Sequence, residues 1–348
     1  MTADCAMARP PENMPIKLEA TRRQQSCGAS PLHDGANATE TMFEHQLDLV
    51  RTATVLPLAG IFGPESLTWR INREAIIFAA AGRALLLQLA HPWVAAAVAD
   101  HSHALTDPIG RFHRTFSIVF AMVFGSVDQA VSAARRLRRR HALVAGTLPR
   151  DVGPFKAGSQ YYANNISALR WVHATLIDSA IAAHDLVFAP LTTAERERYY
   201  AESRLLAALF GIPQALLPPT YTGFTAYVEA MCHSDILTVS TPARSIARQI
   251  FAGGGTWLRA PMSYEALTFE MLPEPLRKEF GFSYGVAERR TAERVVTWIR
   301  RMYPMLPSRI RYVGPYQEAI GRLSGCSSPD AATRLLNRFW IGSYSIAD

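Results

Sequence analysis

Several features that would identify an enzyme quickly are missing from this chain. Its 348 residues contain four cysteines, Cys5, Cys27, Cys232 and Cys326, far apart and without a CxxC pair. A disulfide framework or structural zinc site is therefore not expected, and a reducing, cytoplasmic compartment is the simpler assumption. There is no CxxCH, so any haem would be held without thioether links. HExxH and ExxH are absent, which removes the zinc-protease and di-iron readings. No GxSxG elbow, Rossmann fingerprint or GxxxxGK[ST] loop occurs, so hydrolase and nucleotide readings lose their usual support. The formal charge of +7 comes with no zinc-finger or RNP-type motif, and no nucleic-acid partner is expected. An electropositive pocket for a carboxylated cofactor explains part of that excess, and peripheral contact with an anionic membrane surface explains it nearly as well.

Long uninterrupted apolar runs are also missing. The most apolar stretch, Ala75 to Ala99, carries Arg83, Gln88 and His91, and Pro92 breaks it. It reads as two buried helical pieces rather than a membrane span. Arg22 and Arg23 are followed by QQSCGAS instead of an apolar segment, so neither a twin-arginine signal nor a secretory peptide is recognised. Residues 1 to 40, with Pro10, Pro11, Pro15 and Pro31 and no hydrophobic period, read as a mobile arm.

From residue 41 to 348 no stretch alternates strictly enough for a sheet, and helix signals follow one another. The fold class is all-α, a single large helical domain. Asp107 caps a helix opened by Pro108 and running to Phe124. Ser126 and Gln129 stand in capping-box spacing at the start of a helix that Gly146 is placed to end. Asn165 opens a further long helix, Thr192 and Glu195 cap the next, and Val286 to Met302 and Ala331 to Trp340 complete the set.

Polar groups on apolar helix faces are the candidates for chemistry. His141 shares a face with Ala130, Val131, Ala134, Leu137 and Val144, surrounded by Arg135, Arg136, Arg138, Arg139 and Arg140. It is either a core histidine bonded to a carbonyl or a metal ligand. His173 repeats the pattern in line with Leu169, Leu176, Ile177 and Ala180. On the Asp107 helix, Arg111, Arg114, Thr115, Ile118 and Met122 share one face, so two guanidiniums and a hydroxyl adjoin apolar surface and call for a carboxylate of the protein or an acidic ligand. An Arg–Asp pair at the helix edge is the plainer reading, and Arg114 also has the length to snorkel. Thr175 is placed to bond back to a helix carbonyl. His91 is placed to cap carbonyls freed at the helix break, and His184 with Asp185 and His233 with Asp235 read as local pairs.

The ordered motifs GRALLLQLAHPWVAAAVADHS, DPIGRFHRTF, RRRHALVAG and YYANNISALRWVHATLIDS resemble the family of the fungal oxygenase MpaB and the bacterial latex-clearing rubber oxygenases, over roughly residues 60 to 260. The resemblance implies a helical fold with a haem pocket between long helices, one haem b bound non-covalently, and oxidation of hydrophobic substrates by molecular oxygen or peroxide with an electron donor the sequence does not identify. By position, the RxxxT motif falls on Arg111 and Thr115, as cofactor-binding residues, and the axial metal ligand on His141. Arg114 stands where the latex-clearing enzymes can place a lysine, and a guanidinium is a far poorer iron ligand. Arg114 and His173 are then the expected catalytic polar groups near bound oxygen or substrate. No match for those enzymes' catalytic glutamate is present. The leading expectation is a haem-dependent oxygenase or oxidoreductase acting on a hydrophobic small molecule or lipid. A haem-binding sensor or carrier without turnover and a membrane-surface helical scaffold without cofactor are the alternatives.

Overall fold

The structure is a computed structural model, and it describes residues 40–102, 107–253 and 260–347. The proline-rich arm, with Cys5 and Cys27, and the glycines Gly254 and Gly255 lie outside the described residues, as does His103. Among the described residues the chain forms sixteen α-helices and two strands of three residues each, so the fold is all-α.

Most helix starts are set by side chains that accept orphan amide protons. Asp107 accepts from the Gly110 amide ahead of Pro108–Phe124, and Asn165 from the Ala168 amide ahead of Ile166–Val187. Ser126 with Gln129 and Thr192 with Glu195 form complete capping boxes. The apolar stretch breaks as its proline requires. A 3-10 turn, Ala75–Ala80, runs into Ala81–Leu89, and Pro92–His101 leaves at a bend of 103°. No single described helix is long and apolar enough to cross a membrane. At the bend His91 accepts from the Trp93 amide; it caps a donor instead of the freed carbonyls expected from the sequence.

The helix carrying His141 ends sooner than its glycine signalled. It stops at Ala142, and Gly146 sits in the strand Ala145–Thr147, paired antiparallel with Gln160–Tyr162 in register Gly146↔Tyr161. A Cβ on Gly146 would meet the Tyr161 hydroxyl at 2.4 Å. That glycine therefore makes room for a cross-strand ring and does not turn the chain left-handed.

The core draws on helices from both ends of the chain. Two buried indoles stitch it: Trp69 donates to the Val123 carbonyl and Trp171 to the Leu87 carbonyl, each at 2.8 Å. Arg83 does more. Its guanidinium donates to Asp178 at 2.6 Å, to the Ser179 hydroxyl at 2.9 Å and to the Met271 carbonyl at 2.8 Å, so one side chain joins Ala81–Leu89, Ile166–Val187 and the end of Met262–Met271. The 3-10 turn is held from below. Tyr303 bonds the Ile76 amide and the buried Glu74, which also pairs with Arg311.

Replacing Asp178 with Ala leaves a buried guanidinium without its counter-charge. The expected loss is about 3 kcal/mol, read as a lower urea midpoint at unchanged slope. A loss below roughly 1 kcal/mol would show that the pair is no more than a surface ion pair.

Candidate functional site

A cavity of about 310 Å³ lies between the Pro108–Phe124 helix, the Ala75–Leu89 segment and the helices Ile166–Val187 and Thr193–Leu209, at the lower end of the usual range for small-molecule pockets. Its main wall is one face of the Pro108–Phe124 helix, made by Arg111, Phe112, Thr115, Phe116, Val119, Phe120 and Val123. Phe78 inserts against this ladder, with ring centroids 4.7 Å from Phe116 and 5.2 Å from Phe112, and Trp340 stacks on its far side at 4.4 Å. The opposite wall mixes small groups, among them Ala80, Ala81, Gly82 and Ala84, with Ile77 and Leu85. The other polar side chains are spread out: Thr68, Asn72, Ser179, Tyr199, Ser203, Tyr264 and Gln88, the last donating to Thr175 at 3.0 Å. Thr175 itself bonds back to the Val172 carbonyl.

Arg111 is the one arginine among the described residues of this wall. No carboxylate or other acceptor among the described residues meets its guanidinium, and desolvation together with the nearby Arg114 charge lowers its pKa. Thr115 follows one turn later on the same wall. The face anticipated from the sequence is rotated relative to the one observed. At 100° per residue Arg114 lies about 150° from the middle of the cavity face. It points to solvent and pairs with Asp107 at 2.9 Å, while Ile118 and Met122 are buried. The plainer reading of Arg114 is the one observed, because a solvated partner stands at its own helix cap.

His173 is also off the wall. It is 1% exposed and its Nε2 lies 2.9 Å from the Ser203 carbonyl, behind the residue that does line the cavity. Burial lowers its pKa to about 4, against the opposing effect of that bond, so the ring is neutral and donates to the carbonyl.

His141 differs from both. It is half-buried in the last turn of Val127–Ala142, and its ring has no hydrogen-bond partner among the described residues. Desolvation lowers its pKa to about 4, which leaves a neutral imidazole with free lone-pair capacity at physiological pH. It is not among the residues of the cavity wall. Val127–Ala142 follows Pro108–Phe124 after a two-residue turn and packs against it. Along an antiparallel pair rising 1.5 Å per residue, Arg111 and His141 both lie roughly 20 Å from the turn, at the same level. Of the surrounding arginines, Arg135 is taken up by Glu44 and Arg138 by Glu40. The remaining histidine pairings are local: His184 lies 3.2 Å from Asp185, and His233 bonds the Glu229 carbonyl rather than Asp235.

Tyr199, Ser203, Phe251 and Tyr264 line the cavity and were not singled out from the sequence. Tyr199 and Ser203 share the helix Thr193–Leu209, and Phe251 and Tyr264 come from the helices Thr241–Phe251 and Met262–Met271, all far in sequence from the Pro108–Phe124 wall they face. Among the described residues no group of three or more His, Cys, Asp or Glu side chains is placed to hold a bare metal ion.

Two outcomes follow. His91 and His173 are both buried with pKa values near 4, below the unfolded value of about 6.5. The unfolded chain then binds more protons between those limits, so their contribution to stability is complete above about pH 6.5 and is lost as the pH falls toward 4. Urea midpoints measured across that window should fall with decreasing pH, and His173→Gln, which keeps a donor for Ser203, should lower the proton uptake by about one; an unchanged slope would contradict the assignment. Secondly, Arg111→Met should raise Tm, since an uncompensated charge is replaced by an apolar chain of similar length. A lower Tm would mean that the guanidinium has a stabilising partner.

No curated protein and no solved structure matches the chain. Residues 68–301, which contain most of the cavity wall, match the family described as "ER-bound oxygenase mpaB/B'/Rubber oxygenase, catalytic domain". The match spans more than half of the 348 residues, and the chain belongs to this oxygenase family.

Proposed function

We propose that this oxygenase-family protein binds one haem b non-covalently and oxidises a hydrophobic small molecule or lipid. The observation that carries the reading is a phenylalanine-walled cavity whose single guanidinium, Arg111, has no acidic partner in the described chain. An apolar molecule with an acidic edge satisfies both halves of that site at once, because a buried guanidinium is stabilised by a carboxylate in bidentate contact. Haem b has that chemistry, an apolar macrocycle with two propionates.

The residues fit the group in their donor chemistry. Arg111 would hold a propionate, with the Thr115 hydroxyl one turn away as a second donor. His141 would hold the iron in this reading. The assignment rests on the state of its ring, neutral and unpartnered, since the ring is not part of the wall. When bound, the haem supplies the oxidising chemistry with molecular oxygen or peroxide. The chain's own part is to bind and orient: the phenylalanine face would shield the guest from water, which strengthens the Arg111 interaction. Arg114, paired with Asp107 in solvent, and His173, bonded to Ser203, would act only through their neighbours. A haem carrier without turnover is the second reading, favoured by the absence of any acidic side chain among the described residues of the wall.

Absorption spectra of the purified protein, before and after haem addition, provide the test. A Soret band is expected, strongly reduced in His141→Ala and weakened in Arg111→Ala. No Soret band in the wild-type protein after haem addition sinks both readings; a band with no oxygen uptake in the presence of candidate lipids and a reductant leaves the carrier.

A further inference from the structure

We propose that the outer face of the Val286–Met302 helix, with the exposed turn that follows it, is a docking surface for an anionic lipid bilayer. The helix has two unlike sides. Ala292, Ile299 and, one turn beyond its end, Tyr303 face the body of the protein; Ile299 and Tyr303 pack with Ile76 and Val187. On the other side Trp298, Met302 and Met305 follow at positions i, i+4 and i+7, and the chain continues through Leu306 to Ile310. These are among the least covered large apolar side chains: Trp298 is 66% exposed, Met305 73% and Ile310 62%. Trp298 has no ring or hydrogen-bond partner among the described residues. Scattered exposed apolar residues are ordinary, whereas a contiguous stripe of them led by a tryptophan is not.

The charge beside the stripe selects the occupant. Residues 286–311 contain seven arginines and two glutamates. At 100° per residue, Arg290, Arg294 and Arg301 run along the edge of the Trp298–Met305 stripe, and none pairs with a carboxylate among the described residues. Glu293 lies beyond the arginines, on the flank away from the stripe, and Arg309, at the far end, is within 3.9 Å of Asp330. An apolar stripe bordered by unpaired arginines matches the cross-section of a membrane interface, with rings and thioethers at the acyl boundary and guanidiniums among the phosphates. A protein partner would have to present an acidic rim around a hydrophobic groove. The bilayer requires no such shape, and the stripe is too narrow and convex to form a groove of its own. The placement also serves the cavity: this helix packs on Met262–Met271, whose Tyr264 lines it, so an apolar substrate dissolved in the bilayer would enter near the site. The inference stands without the haem.

The experiment is co-sedimentation of the full chain with phosphatidylcholine vesicles, with and without one third phosphatidylserine, at about 0.05 and about 0.5 M salt. Binding is expected only with phosphatidylserine, weakened at the higher salt. Arg294→Glu with Arg301→Glu should weaken it at least tenfold, since each basic residue near an anionic surface contributes about a factor of five. Trp298→Ser with Met305→Ser should weaken it similarly, and all variants should keep the wild-type Tm because the side chains are exposed. No binding to the anionic vesicles, equal binding to both kinds, or binding untouched by either pair of substitutions overturns the proposal. So does a concentration-dependent dimer lost in the variants with no vesicle binding, which would make the stripe a protein interface.

Discussion

One helix face governs the site, the side of Pro108–Phe124 that carries a phenylalanine ladder and ends in Arg111. Aromatic rings at that spacing would normally be filled by large side chains opposite, since interiors pack to crystal density. Here the facing segment puts Ala80, Ala81, Gly82 and Ala84 between Phe78 and Leu85, and those small positions leave a gap. Tyr264 accepts from the Gly82 amide and donates to the Phe78 carbonyl. A Cβ on Gly82 would come within 2.7 Å of Thr268 Oγ1, so the segment is already seated tightly from behind. Glu74 and Tyr303 fix its beginning and Arg83 its continuation. The space persists because both walls are anchored elsewhere.

The helices were legible in the sequence because their start signals are local. Asp107 with Pro108, Ser126 with Gln129, Asn165, and Thr192 with Glu195 act within four residues of themselves, and each caps as read. Signals that depend on a distant partner misled. Gly146 looked like a helix stop and is instead the place where the Tyr161 ring crosses the strand. Arg111 and Arg114 looked equivalent on a helical period, yet a rotation of 60° between them separates a cavity wall from solvent. Periodicity gives the angle between two residues and leaves open which way the helix is turned. Tyr264 and Ser203 could be placed only by the tertiary fold, which brings residues nearly two hundred positions apart to one cavity.

The three histidines on apolar surroundings are alike in one respect and unlike in another. Burial holds His91, His141 and His173 neutral. His91 then spends its lone pair on the Trp93 amide and His173 its N–H on the Ser203 carbonyl, as buried polar groups ordinarily do. His141 has lost much of its water without gaining such a partner. The Arg111 guanidinium on the neighbouring helix is likewise half-buried and without a protein partner among the described residues. Under the proposed haem reading these are the two groups that the ligand would complete.

The two halves of that argument, an apolar interior with an open cation and an apolar exterior bordered by open cations, follow the same physical rule on different scales. In each place guanidiniums without acidic partners among the described residues adjoin carbon surface, and in each the proposed guest is an anion attached to something oily. Inside, the cavity volume and the single arginine restrict the guest to one small molecule. Outside, the absence of an enclosing wall and the repetition of arginines along a helix edge restrict it to a surface that presents many anions at once. The helix Met262–Met271 packs on the arginine-edged helix and carries Tyr264, which lines the cavity.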